Sequence, residues 1–122
     1  MEVFRRIDAI PALSDEERLL LDSVRRVARE QIAPRAAHHD ATGEFPWDNV
    51  HALNALGLNG IFIPEALGGA ELSYSAYLAC VREISAACAS TGIIWATNFH
   101  AAKPLLEFGT AEQQARLIPV LL

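Results

Sequence analysis

Residues 14–32 read SDEERLLLDSVRRVAREQI, a stretch that suits one kind of element only. Ser14 followed by Glu17 is a capping box. The hydroxyl can accept from the amide three residues on while the carboxylate returns to the Ser amide, so two amides orphaned at a helix start are satisfied together. Asp15, Glu16 and Glu17 also place carboxylates at the positive end of the helix dipole. Beyond the cap, Leu20, Val24, Val27, Ala28 and Ile32 recur at three- and four-residue intervals, while Arg18, Asp22, Arg25, Arg29 and Glu30 are left for the wet side. The spacing predicts an amphipathic helix with one apolar stripe. Pro34 lacks an amide hydrogen and predicts a kink, the helix ending there or continuing to about His39.

Downstream, residues 40–44 form a connection, and Phe45-Pro46-Trp47 opens a second helix, Pro being harmless near a first helical position. Trp47, Val50, Leu53 and Leu56 are its inward residues, and Gly57 suits its end. Residues 58–69 are irregular. They hold the apolar triplet Ile61-Phe62-Ile63, expected to be buried without a pairing partner in this chain, and the Gly68-Gly69 turn. Ser73 caps a third helix whose inward positions are Tyr74, Tyr77, Leu78, Val81, Ile84 and Cys88, ending near Ala89-Ser90. Thr91-Gly92 is expected to interrupt before a fourth helix over residues 93–102, apolar on nearly all sides and so expected at the centre, which Pro104 breaks. Thr110 and Gln113 repeat the capping-box spacing and launch a fifth helix through Leu117, bent at Pro119. No alternating stretch is long enough for a sheet. The fold class is all-α, an up-down bundle of about five helices.

The 122 residues are 52% apolar and 20% charged, with a net charge of −5, which describes one soluble globular domain able to bury its own core. Ten Lys and Arg, gathered into no basic stripe, argue against nucleic acid as a partner. No apolar run approaches the roughly 20 residues of a membrane span, and Met1–Asp8 lacks the apolar core of a secretory leader, so the cytoplasm is the expected compartment. Cys80 and Cys88, read as lying in one helix about 12 Å apart, are beyond disulfide reach and are expected to be buried, inert thiols. The uncapped apolar end, Leu117 to Leu122, suggests a domain cut from a longer protein.

The chemistry-bearing residues form no self-contained catalytic motif. His38 and His39 are adjacent and so point apart, His51 and His100 stand alone, and no metal site is expected. The first-turn carboxylates Asp15, Glu16, Glu17 and Glu112 are capping residues. Glu65 in the irregular stretch and Glu83 on the third helix are better explained by solvation than by catalysis. The remaining oddity is the fourth helix, which sets Trp95, Asn98, Phe99 and Ala102 on one face, either as core, with Asn98 satisfied by a backbone group, or as the wall of an apolar pocket.

In order, these pieces resemble the N-terminal helical domain of the acyl-CoA dehydrogenase family. The likeness rests on the capped first helix with Ile-Ala-Pro at 32–34, the aromatic-Pro entry at 45–46, Gly-Leu-x-Gly at 57–60, and Pro-Glu-x-x-Gly-Gly at 64–69. It continues through the Glu-containing third helix with Ser-Thr-Gly at 90–92, then Phe-Gly-Thr-x-Glu-Gln at 108–113 and Leu-Ile-Pro at 117–119. The resemblance implies a larger enzyme in which this domain, a middle β domain and a C-terminal helical domain enclose FAD and an acyl-CoA thioester. There a glutamate base removes the α-proton while the β-hydride passes to flavin. Electron-transfer flavoprotein as acceptor and a homotetramer or homodimer are implied with it. The flavin-contacting motif and the base lie beyond these residues, so no catalytic or cofactor-binding residue is carried over, and Glu65, Glu83 and Glu107 are not the base. What is carried over is the wall of the acyl pocket: Ile94, Trp95, Asn98, Phe99 and Ala102. Bulky Trp95 and Phe99 would shorten that pocket or suit a branched or aromatic acyl group. Between residues 92 and 104 the chain is about two residues shorter than the family pattern, well within one helical turn. Two other readings stay open: a flavin monooxygenase or nitroalkane oxidase of the same fold, and a non-catalytic helical interaction module.

Overall fold

The computed structural model describes residues 13–122, all of whose regular structure is helical; the leader reading of Met1–Asp8 lies outside them. Helix α1 (Asp15–Val27) passes through a π-helical turn (Ala28–Ile32) and a 3-10 turn (Ala33–Arg35) into α2 (Ala36–Thr42) without leaving helical backbone. Pro34 therefore does not end the rod. The wider and then tighter turns around it absorb the missing donor, as such irregularities do. Four more helices follow: α3 (Trp47–Asn54), α4 (Tyr74–Ala87), α5 (Ala89–Phe108) and α6 (Ala111–Leu121). With α1 and α2 counted as one rod, the described residues form the expected five-helix bundle.

The three caps read from sequence are all formed. Ser14 accepts from the Glu17 amide at 3.1 Å while its own amide donates to Glu17 Oε2 at 2.9 Å. Thr110 and Gln113 close the same box on α6, and Ser73 accepts from the Ala76 amide to start α4. Glu17 does more than its spacing announced: its second oxygen accepts from the Ser73 amide at 2.9 Å. One buried carboxylate thus ties the starts of α1 and α4 together.

The core is built from Val24, Ile32, Leu53, Leu58, Ile61, Ile63, Ile84 and Ile118, each at most 1% exposed. Several expectations are corrected around it. On α1, Leu21 is buried and Leu20 only half-buried. On α3, Trp47 is 60% exposed, and Asn49 takes the buried place instead. On α4, Tyr74 and Leu78 face outward while Ala76, Ala79 and Cys80 face in. Helix α4 packs mainly on α1 and α5, and small side chains on its inner face let the axes approach.

The break between the third and fourth helices falls at Cys88, whose backbone is extended (φ −158°, ψ 110°), and not at Thr91-Gly92. Both of these residues lie in the first turn of α5. Gly92 is needed for close packing: a Cβ there would lie 2.1 Å from Ser85 Oγ. Nor does Pro104 break α5, which runs on to Phe108. Pro104 and His100, whose carbonyl loses its helical donor, are both exposed, so water can take the vacant bond. Pro119 is likewise accommodated inside α6. Cys80 and Cys88 are free and buried as expected, though Cys88 sits between two helices. Burial pushes the Cys80 thiol up to about 12.

The triplet Ile61-Phe62-Ile63 is also corrected, because it does find partners within the chain. The carbonyls of Gly60, Ile61 and Ile63 accept from the amides of Ala70, Leu72 and Glu71 at 2.8, 2.7 and 2.9 Å. Gly69 makes this possible, since a Cβ there would lie 2.0 Å from the Ile63 carbonyl oxygen. The triplet is consequently buried by the chain itself, at 1%, 9% and 0% exposure.

Candidate functional site

Helix α5 carries all five positions singled out for a pocket wall, and the bundle divides them. Trp95, Phe99 and Ala102 point inward, at 2%, 4% and 2% exposure. Ile94 is half-buried and Asn98 exposed, one turn apart on the outer side. At 3.6 residues per turn Asn98 lies about 60° around the axis from Trp95, at the margin of the apolar stripe. It is therefore not a core amide. Neither is α5 central: Ile93 is 65% exposed, and His100 and Ala101 are exposed too.

Beneath α5 the inward residues join an aromatic cluster drawn from three elements. Trp95 meets Phe99 edge-on with ring centroids 5.2 Å apart, and Tyr77 of α4 at 5.5 Å. Phe99 lies 4.6 Å from both Tyr77 and Phe62. Phe62 in turn contacts Tyr77 at 5.5 Å and Tyr74 at 4.9 Å. Among the described residues the buried Trp95 indole N–H has no hydrogen-bond partner.

The start of α5 is fixed by a buried polar relay that the sequence reading did not find. Arg35 Nη1 donates to Asn49 Oδ1 at 3.2 Å, and Asn49 Nδ2 donates to Thr91 Oγ1 at 3.0 Å. Asn49 and Thr91 are both fully buried. The available signal was an amide among the apolar positions of α3. At the other end, Gln114 Nε2 reaches the carbonyls of Leu105, Leu106 and Gly109 at 3.1–3.2 Å, pinning α6 to the end of α5. Between the two helices an apolar hollow of about 250 Å³ is lined by Ala101, Leu105, Leu117, Val120 and Leu121.

The other chemistry-bearing groups have structural explanations. Glu83 pairs with Arg25 at 3.1 Å, Glu107 pairs with Lys103, and Glu65 is exposed. His38 Nε2 lies 2.8 Å from the Glu44 carboxylate, and His39 Nδ1 lies 3.0 Å from the Glu44 carbonyl. Among the described residues no three His, Cys, Asp or Glu side chains gather into a metal-binding group, and no helix is long and apolar enough to cross a membrane. What stands out is a helix with a closed aromatic inner face and an outer margin that carries Ile94 and the exposed Asn98 amide.

This arrangement is that of a known domain. The sequence profile of the family described as "Acyl-CoA dehydrogenase, N-terminal domain" matches residues 14–122, and the chain belongs to that family. It is 40% identical over 110 residues to the probable acyl-CoA dehydrogenase YngJ of Bacillus subtilis, an alignment covering 88% of this chain and 29% of that protein. It is 40% identical over 103 residues to the mitochondrial short-chain specific acyl-CoA dehydrogenase of Homo sapiens, covering 84% and 25%. The fold matches butyryl-CoA dehydrogenase from Megasphaera elsdenii with a TM-score of 0.82 at 23% identity, covering 90% of this chain and 30% of that one. The chain thus spans under a third of the length of these relatives.

Proposed function

We propose that this chain is the N-terminal helical domain of an FAD-dependent acyl-CoA dehydrogenase, an oxidoreductase that dehydrogenates an acyl-CoA thioester between its α and β carbons. Middle β and C-terminal α domains complete it, and the role of α5 is to wall the acyl pocket. The observation that carries this reading is the family match across 14–122, together with an α5 whose Ile94, Asn98 and Ala101 strip is open on the outer side of the bundle. In such a wall Ile94, Trp95, Asn98, Phe99 and Ala102 act by shape and by excluding water, which strengthens the electrostatics around the reacting thioester.

In this reading the main flavin-binding motifs lie outside these 122 residues. Among the described cations, Arg25 is turned to Asp22 and Glu83, Arg29 to Glu30, and Lys103 to Glu107. The hollow lined by Leu105, Leu117 and Val120 is an apolar face suited to the remaining domains, and Val120 there is 80% exposed. Electron-transfer flavoprotein as acceptor, a homotetramer or homodimer, and a cytoplasmic location complete the proposal. The last is supported by two cysteines kept apart and unpaired.

The test is the intact mass and the bound cofactor of the protein as its source makes it. A mass several-fold above 13.3 kDa with stoichiometric FAD is the expected result. A flavin-free protein of 13.3 kDa would overturn the proposal and favour the interaction module.

A further inference from the structure

We infer that Asn59 is a conformation-gated deamidation site, locked while the loop at 60–72 is closed and converted irreversibly once it opens. Of Asn49, Asn54, Asn59 and Asn98, only Asn59 precedes a glycine. Glycine has no Cβ to shield its amide nitrogen, so the Gly60 nitrogen can attack the carboxamide carbon of Asn59. The bond from Gly60 N to Asn59 Cγ closes a succinimide, the bond from Cγ to Nδ2 breaks, and Nδ2 leaves as ammonia with the proton given up by the Gly60 amide. Water then opens the ring at either carbonyl, leaving aspartate or an isoaspartate whose main chain runs through the former side chain.

The fold demands this dipeptide and protects it. A Cβ at Gly60 would lie 3.2 Å from the Gly69 Cα and 3.0 Å from Leu122 Cδ2, so the loop closes this tightly only around glycine. In the closed loop Leu58–Gly60 is a 3-10 turn, whose helical backbone turns the Gly60 nitrogen away from the Asn59 side chain. The Gly60 amide donates to the Gly57 carbonyl at 3.2 Å, which retains the proton that attack must remove, and the Gly60 carbonyl accepts from Ile63 and Ala70 at 3.1 and 2.8 Å. Asn59 Nδ2 is itself held on Asn54 Oδ1 at 3.1 Å. Attack therefore waits for local opening, and its rate follows the open fraction. Neither product refits the closed loop. Asn59 Oδ1 is buried without a partner among the described residues, so aspartate would bury a carboxylate oxygen with no donor. Isoaspartate adds a main-chain carbon next to Gly60, where Gly69 and Leu122 leave no room.

The experiment incubates the full-length protein at mildly alkaline pH, native and in unfolding urea, and follows each asparagine by peptide mass spectrometry with isoaspartate separated from aspartate. The expected result is conversion at Asn59 ahead of Asn49, Asn54 and Asn98 in urea, slowed roughly tenfold or more in the native protein. Leu122→Ala, which relaxes one side of the clamp, should speed the native reaction. In the purified converted protein the Ala70 and Leu72 amides, which bond to Gly60 and Ile61 in the closed loop, should exchange hydrogen roughly tenfold or more faster than in the unconverted one. No preference for Asn59 in urea, or a native rate equal to that in urea, would overturn the inference. So would a native rate unchanged by Leu122→Ala, or converted protein whose Ala70 and Leu72 amides stay as protected as before.

Discussion

Removing the Glu17 carboxylate should unlatch α1 from α4. Its two oxygens accept from the Ser14 and Ser73 amides, each at 2.9 Å, and the side chain is 8% exposed. A hydrogen bond to a charged group contributes about 1.5–3 kcal/mol. Ser14 and Ser73 are exposed, so water can partly replace the lost acceptors, and Glu17→Ala should cost about 2–3 kcal/mol. Hydrogen bonding from Ser73, followed by that from the Ser14 amide, holds the Glu17 carboxyl below its ordinary value of 4.5. A depressed carboxyl stabilises the fold fully above the unfolded-state pKa, and that contribution is lost as pH falls through the lower folded-state value. Wild-type stability should therefore drop below about pH 4.5 more steeply than that of Glu17→Gln, which has no charge to lose. Urea unfolding followed by circular dichroism at several pH values between 3 and 7 measures both effects. A Glu17→Ala cost under about 0.5 kcal/mol, or parallel acid profiles for wild type and Glu17→Gln, would refute the latch.

Three further outcomes follow from the packing. Gly92→Ala puts a methyl 2.1 Å from Ser85 Oγ and 2.8 Å from its Cα, and should lower stability by about 1–3 kcal/mol despite the better helix propensity of Ala; a neutral or raised melting temperature would contradict the close contact. Trp95→Phe discards a buried donor that has no partner among the described residues, so the relief offsets the smaller ring and the net change should stay within about 1 kcal/mol; a loss above about 3 kcal/mol would show the N–H to be paired. Cys80, buried and with its thiol pushed up to about 12, should resist iodoacetamide at neutral pH until the protein is unfolded, a protection readable by mass spectrometry.

The helices were legible because their signals are local. Ser14, Ser73 and Thr110 bond within three residues of themselves, and Val24, Ile32 and Ile84 sit on stripes that any helical wheel shows. What escaped depends on partners far along the chain. The rotation of α4, with Leu78 out and Ala79 in, answers to the close approach of α1 and α5. Gly92 looked like a breaker because Ser85, which it must accommodate, belongs to another helix. The loop at 60–72 closes on itself through amides that sequence spacing does not announce. For the candidate site, the positions on α5 were visible, but their division was not. Trp95 and Phe99 turn inward because Phe62 and Tyr77 lie there, leaving Ile94 and Asn98 to the outside.

The most direct test of the central claim is anaerobic mixing of the full-length, FAD-loaded protein with butyryl-CoA, following flavin absorbance and analysing the thioester. The account predicts bleaching of the oxidised flavin with formation of an equivalent amount of the trans-2-enoyl thioester. A flavin that stays oxidised, or oxygen consumption in air without enoyl product, would contradict it and move the chain to another chemistry on the same fold.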